Sequence, residues 1–164
     1  VPTEFGNCAN LWALGFYGNE GLTGRVDELL NVFPTRLVNF FVGKTSLDGS
    51  IPSTVGRFRQ LEKFRLEESQ VTGTVPTELG EATKLLIADV SQNQLHGTLP
   101  SELGLLGAVT ALGFASNNFN GTLAPEFVGW RSLETLVLSD NSFSGSPSVL
   151  AKLPFLRTLY MSGN

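Results

Sequence analysis

Apolar residues in this chain fall into short blocks of one shape, L-x-x-L-x-L-x-x-N, each followed by a polar stretch that carries glycine. The blocks read "LWALGFYGN", "LVNFFVGKT", "LEKFRLEES", "LLIADVSQN", "VTALGFASN", "LETLVLSDN" and "LRTLYMSGN". They begin at Leu11, Leu37, Leu61, Leu85, Val109, Leu133 and Leu156, with successive starts 26, 24, 24, 24, 24 and 23 residues apart. An extra residue within 19–22 and another within 30–37 lengthen the first interval, and a deletion within 144–150 shortens the last. The polar stretches repeat too: "LTGRVD", "LDGSIP", "VTGTVP", "LHGTLP", "FNGTLAP" and "FSGSP". Self-similarity at this period predicts a stack of equivalent coils.

Each column of the pattern has a physical reading. Alternate residues of a strand share a face, so each block points two core side chains inward. These are Leu14, Phe16, Phe40, Val42, Phe64, Leu66, Ala88, Val90, Leu112, Phe114, Leu136, Leu138, Leu159 and Met161. Stacked blocks then give a parallel sheet over one apolar seam, and no single coil can offset its own chain entropy. A third apolar column, Cys8, Phe33, Phe58, Ala82, Leu106, Trp130 and Leu153, is expected to pack the opposite layer against the sheet, with Cys8 a small buried hydrophobe.

The Asn column (Asn19, Thr45, Ser69, Asn93, Asn117, Asn141, Asn164) stands where the strand turns away and backbone groups lose their ladder partners. An amide both donates and accepts there. The hydroxyls of Thr45 and Ser69 predict a weaker ladder in the second and third repeats. Gly24, Gly49, Gly73, Gly97, Gly121 and Gly145 fit a backbone turn at positive φ. Pro2, Pro52, Pro76, Pro100 and Pro147 lead into short helical pieces. Asp27 replaces proline once and Pro125 is displaced by one position, so those two turns are expected to be irregular.

The pattern resembles the plant-type leucine-rich repeat, whose template continues after Asn as x-L-x-G-x-I-P-x-x-L-G-x-L-x-x. The resemblance covers essentially the whole chain. It implies one domain over 1–164, with a partial repeat at 1–10, repeats starting at 11, 37, 61, 85, 109 and 133, and a partial repeat at 156–164. The fold class implied is an α/β-class solenoid, mostly strand and loop, with a parallel sheet on the concave face. Turns and short 3-10 or helical segments form its convex face. An extracellular or lumenal recognition module is the implied function, as in plant receptor ectodomains and inhibitors of pathogen cell-wall enzymes. The paired-cysteine caps that flank such arrays are absent, so the end repeats are expected to expose core and the natural protein to be longer.

Composition narrows the partners. Apolar residues make up 41% of the chain but charged ones only 16%, with 11 Lys and Arg against 15 Asp and Glu and a net charge of -4. No basic block stands out, which argues against nucleic acid. The apolar stretch 103–115 is too short and glycine-rich to span a bilayer, so direct membrane insertion by this segment is not expected. One cysteine, Cys8, allows no intrachain disulfide.

No constellation of reacting groups emerges, and the chain reads as a binding protein rather than an enzyme. His96 sits in the variable slot of "LHGTLP" and is expected at the surface. Glu67 and Glu68 are adjacent rather than convergent and read as a solvated edge. Metal-ligand spacing is absent, and nothing implies a cofactor.

Function can be written only in columns the fold does not dictate. On the concave face these run Gly15, Phe41, Arg65, Asp89, Gly113, Val137, Tyr160 and, two residues earlier, Ala13, Asn39, Lys63, Ile87, Ala111, Thr135, Thr158. Two residues later they run Tyr17, Gly43, Glu67, Ser91, Ala115, Ser139, Ser162. An aromatic group (Trp12, Tyr17, Phe41) therefore adjoins a mixed-charge strand (Lys63, Arg65, Glu67) and then Ile87 and Asp89, a surface suited to a protein or peptide ligand. Arg65 pairing with Asp89 across strands, and Trp12 and Tyr17 covering a seam, are the alternative readings. Further alternatives for the whole are a structural subunit of a larger assembly and an inhibitor of a secreted hydrolase. Asn120 opens the sequon "NGT", a glycosylation candidate.

Overall fold

The computed structural model describes residues 3–164. Val1 and Pro2, the latter in the proline column, lie outside the described residues. Each block forms one short strand: Ala13–Gly15, Asn39–Phe41, Lys63–Arg65, Ile87–Asp89, Ala111–Gly113, Thr135–Val137 and Thr158–Tyr160. These seven pair in sequence order into one parallel sheet. The register runs Gly15↔Phe41↔Arg65↔Asp89↔Gly113↔Val137↔Tyr160, so equivalent positions form rows across the sheet.

Beneath the sheet lies a continuous seam. Phe40, Val42, Phe64, Leu66, Leu136 and Leu138 are wholly buried, and Phe40 stacks on Phe64 at 5.3 Å between ring centres. Burying each such side chain contributes roughly 1.5–3 kcal/mol. In the third apolar column, Trp130 stacks on Phe127 at 4.2 Å and its indole N–H donates to the Leu103 carbonyl at 2.7 Å.

The ends of the seam differ from expectation. Leu159 is exposed and Met161 and Phe16 are only partly buried, because the outermost coils are covered from one side among the described residues. Cys8 is exposed rather than buried, since the coil to which it belongs supplies no strand of its own to pack against.

The asparagine ladder is as expected. Asn117 Oδ1 accepts from the Leu95 N–H at 3.0 Å, and its Nδ2 donates to the carbonyls of Val90, Phe114 and Ala115. Asn93, Asn141 and Asn164 repeat this set. Thr45 and Ser69 instead share one hydroxyl–hydroxyl contact of 3.1 Å, and Thr45 Oγ1 reaches the Leu47 N–H only at 3.4 Å.

After the turn the chain stays extended, which forms a second parallel sheet that the repeat pattern does not announce. Its strands are Thr72–Gly73, Gln94–Gly97, Asn118–Gly121 and Ser142–Phe143, with Thr23–Arg25 and Ser46–Asp48 paired separately. The turns into it use positive φ at Lys44, Glu68, Gln92, Ser116 and Asp140, and the glycine column takes positive φ where the chain leaves it, for example +84° at Gly73.

Opposite the main sheet run 3-10 helices, such as Ser53–Arg57, Thr77–Glu81, Ser101–Leu105 and Pro125–Gly129. Where Asp27 replaces proline the segment becomes an α-helix, Val26–Val32, which lacks Pro and Gly and carries Asp27 and Glu28 in its first turn, where the helix dipole favours them. The expected irregularity at Pro125 does not occur. Ala124 takes φ -65° and ψ 141°, close to the -67° and 139° of Pro100, and Pro125 becomes the first helical residue.

Candidate ligand-binding face

The outward positions of the seven strands form a broad face on which the repeat leaves residue type free. Gly15, Tyr17, Phe41 and Arg65 line an open depression of about 440 Å³. A Cβ added to Gly15 would meet nothing within 4 Å, so the glycine leaves a notch between the two aromatic rings.

Farther along the sheet, Ile87, Asp89, Ala111, Gly113, Thr135 and Val137 line a second, smaller trough of about 240 Å³, with Arg65 also on its rim. Ala111 and Gly113 form its floor because they lack the bulk of Ile87 and Val137 on either side. The two concavities thus flank the strand Lys63–Arg65.

The charges are arranged differently from the sequence expectation. Arg65 does not pair with Asp89; its Nε lies 3.5 Å from Oε1 of Glu67 on its own strand segment. Asp89 turns away, its Oδ1 accepting the Ser91 N–H at 3.0 Å while the carboxylate lies against Gly113. Lys63 is partly buried between Asn39 and Ile87 in its row and forms no ion pair among the described residues.

Glu67 is no solvated edge. It is buried, because Gly43 beside it has no side chain and the carboxylate folds over that gap. Burial pushes its pKa above the ordinary 4.5; the negative charges of Asp89 and Glu68 act in the same direction, while a hydrogen bond to its own backbone and the Arg65 guanidinium oppose it. Oε2 finds no hydrogen-bond partner.

Of the sequence-selected residues, Tyr17, Phe41 and Arg65 meet in the first concavity, Ile87 and Asp89 in the second, and Lys63 stands between them. Trp12 is exposed at the start of its strand but lines neither. Missed by sequence reasoning were Gly15 and Val137 as residues that shape the cavities; the signal was present as changes of side-chain size along one column, Gly15 beside Phe41 and Gly113 beside Val137. Asn120 is exposed on the second sheet, as is His96. Among the described residues no group of three or more His, Cys, Asp or Glu could hold a metal ion. No helix there is long and apolar enough to cross a membrane.

Known proteins place this geometry. The leucine-rich-repeat family model matches residues 132–153. The structure superposes with a TM-score of 0.94 on the plant peptide hormone receptor RGFR1 in complex with RGF2, at 31% identity over all of this chain and 26% of that one. The chain is a plant-type leucine-rich-repeat protein. Its solenoid also matches the Arabidopsis receptor kinase HAESA, solved with the peptide hormone IDA and the co-receptor SERK1, at 29% identity, TM-score 0.90 and coverage of 98% of this chain and 27% of that one. A plant ice-binding protein shares the fold at 24% identity and TM-score 0.89, over all of this chain and 53% of that one. This leucine-rich-repeat chain spans about a quarter of the receptor structures it matches. No curated protein matches its sequence closely enough to count as a relative.

Proposed function

We propose that this leucine-rich-repeat chain is a protein- or peptide-recognition module that binds its ligand on the concave face, at Phe41, Lys63 and Arg65. The observation that carries the reading is the pair of open concavities around the cationic strand Lys63–Arg65, on a face where nothing in the repeat demands them. Aromatic and arginine side chains are the groups that most often dominate protein–protein affinity. The solved receptors that resemble the chain are bound to peptide hormones, which supports a ligand of that class.

An extracellular or lumenal compartment goes with this reading, and in it Asn120, exposed and free of a side-chain hydrogen bond, is proposed to carry a glycan on the flank, clear of the concave face. The test is capture of peptides from a random library by the chain and by its double variant Phe41→Ala, Arg65→Glu. Peptides that bind the chain are expected to lose the double variant while its circular dichroism and melting stay unchanged. Unchanged affinity for the double variant would remove the proposal.

A further inference from the structure

We infer that the concave face takes an extended peptide bearing a large apolar or aromatic side chain and, four residues away, a small aliphatic one, with an acidic side chain midway; the inference rests on the recognition reading above and specifies its ligand. The first concavity is centred on the row position of Phe41 and the second on that of Gly113, three strands apart in the register Phe41↔Arg65↔Asp89↔Gly113. Parallel strands lie about 4.8 Å apart, so the two centres are separated by about 14 Å, and an extended chain rising about 3.4 Å per residue covers that in four residues.

Side chains two and four residues apart in an extended chain point to the same side. The first, third and fifth residues of the segment therefore all face the sheet. The notch left by Gly15 between Tyr17 and Phe41 suits a ring or a long apolar chain. The trough over Ala111 and Gly113 is about half as large and suits valine or a similar group.

Charge fixes the middle residue. Lys63 has no ion-pair partner among the described residues and Arg65 holds Glu67 only at 3.5 Å, so the strand between the concavities offers two cations to a carboxylate. Asp89 lies against Gly113 at the trough itself, so an acidic group placed there would meet a like charge, which keeps the acid at the middle position.

The experiment begins with selection from a random heptapeptide phage library on the intact chain and on Gly15→Phe and Ala111→Phe, each of which fills one concavity from an outward position. It continues with fluorescence polarisation of the labelled heptapeptide Gly-Phe-Ser-Glu-Ser-Val-Gly against versions with Phe and Val three or five residues apart and with Lys in place of Glu. The spacing of four with Glu is expected to bind at least about tenfold tighter than the other versions. Gly15→Phe should erase the preference for the ring alone, and Ala111→Phe that for the aliphatic alone. Selected peptides that depend on Phe41 and Arg65 but share no such spacing would overturn this inference and leave the recognition reading standing. Selection that yields no peptide dependent on those two residues would overturn both, and because the peptide series alters no protein residue, a misfolded variant cannot mask either result.

Discussion

The carboxylate of Glu67 lies over Gly43, so close that a Cβ on the glycine would come within 2.9 Å of Oε2. The missing side chain of one coil thus shelters an acid on the next, removing it from the ligand face and leaving Arg65 as its only cationic neighbour within ion-pair distance among the described residues.

Sheltering has a consequence for stability against pH. The folded-state pKa of Glu67 is raised, chiefly by burial, so the folded chain binds its proton more tightly than the unfolded chain does. Its ionisation therefore weakens folding as pH climbs through the raised value, and its contribution is most favourable below the ordinary 4.5. Glu67→Gln is expected to stabilise the chain at neutral pH and to flatten this part of the stability profile. Urea melts of both chains across a pH series check it; a variant less stable than the parent at neutral pH would contradict it.

The ladder gives a paired prediction. Asn117→Ala strands the Leu95 N–H in the interior, while the carbonyls of Val90, Phe114 and Ala115 keep their bonds from Asn93, Asn141 and the Gln92 N–H, and it is expected to cost about 2 kcal/mol, given about 1–3 kcal/mol for a buried group left unsatisfied. Ser69→Asn should act the other way. By analogy with Asn93 on Val71, its amide oxygen would reach the Leu47 N–H, which now has only a 3.4 Å contact to Thr45, and the gain expected is about 1 kcal/mol. Chemical denaturation of the two variants measures both.

Arg57 holds the α-helical coil in place. Its guanidinium donates to the carbonyls of Leu30, Asn31 and Phe33 at 2.7–2.8 Å, closing the C-terminal end of Val26–Val32, and packs 5.1 Å above the Phe58 ring. Arg57→Ala is expected to cost about 2–3 kcal/mol, and Arg57→Lys to recover part of it, because all three bonds come from the one nitrogen Nη2, whose place a three-donor ammonium can take. Thermal melts followed by the helical dichroism signal provide the check.

How far these features were legible in the sequence depends on what fixed them. Phe40, Phe64 and Leu136 were readable because the alternation of a strand and the repeat period together leave them one place to go. The row Phe41, Arg65, Asp89 followed from the same register. What escaped was set by single neighbours. Glu67 is buried only because Gly43 opposes it, Arg65 turns along its own strand instead of across, and Pro125 is tolerated because Ala124 adopts the backbone angles that proline has in the other coils. The helix Val26–Val32 was signalled by Asp27 in the proline column, yet its dependence on Arg57 came from a residue 24–27 positions away.

Photocrosslinking most directly tests whether the inner curve of the solenoid carries the ligand. A benzophenone side chain placed at Phe41, and separately at the exposed Leu105 of the outer 3-10 helix Ser101–Leu105, would be irradiated with a peptide retained by the chain. Adducts at position 41 and none at position 105 are expected. Adducts at 105 with none at 41 would contradict the account.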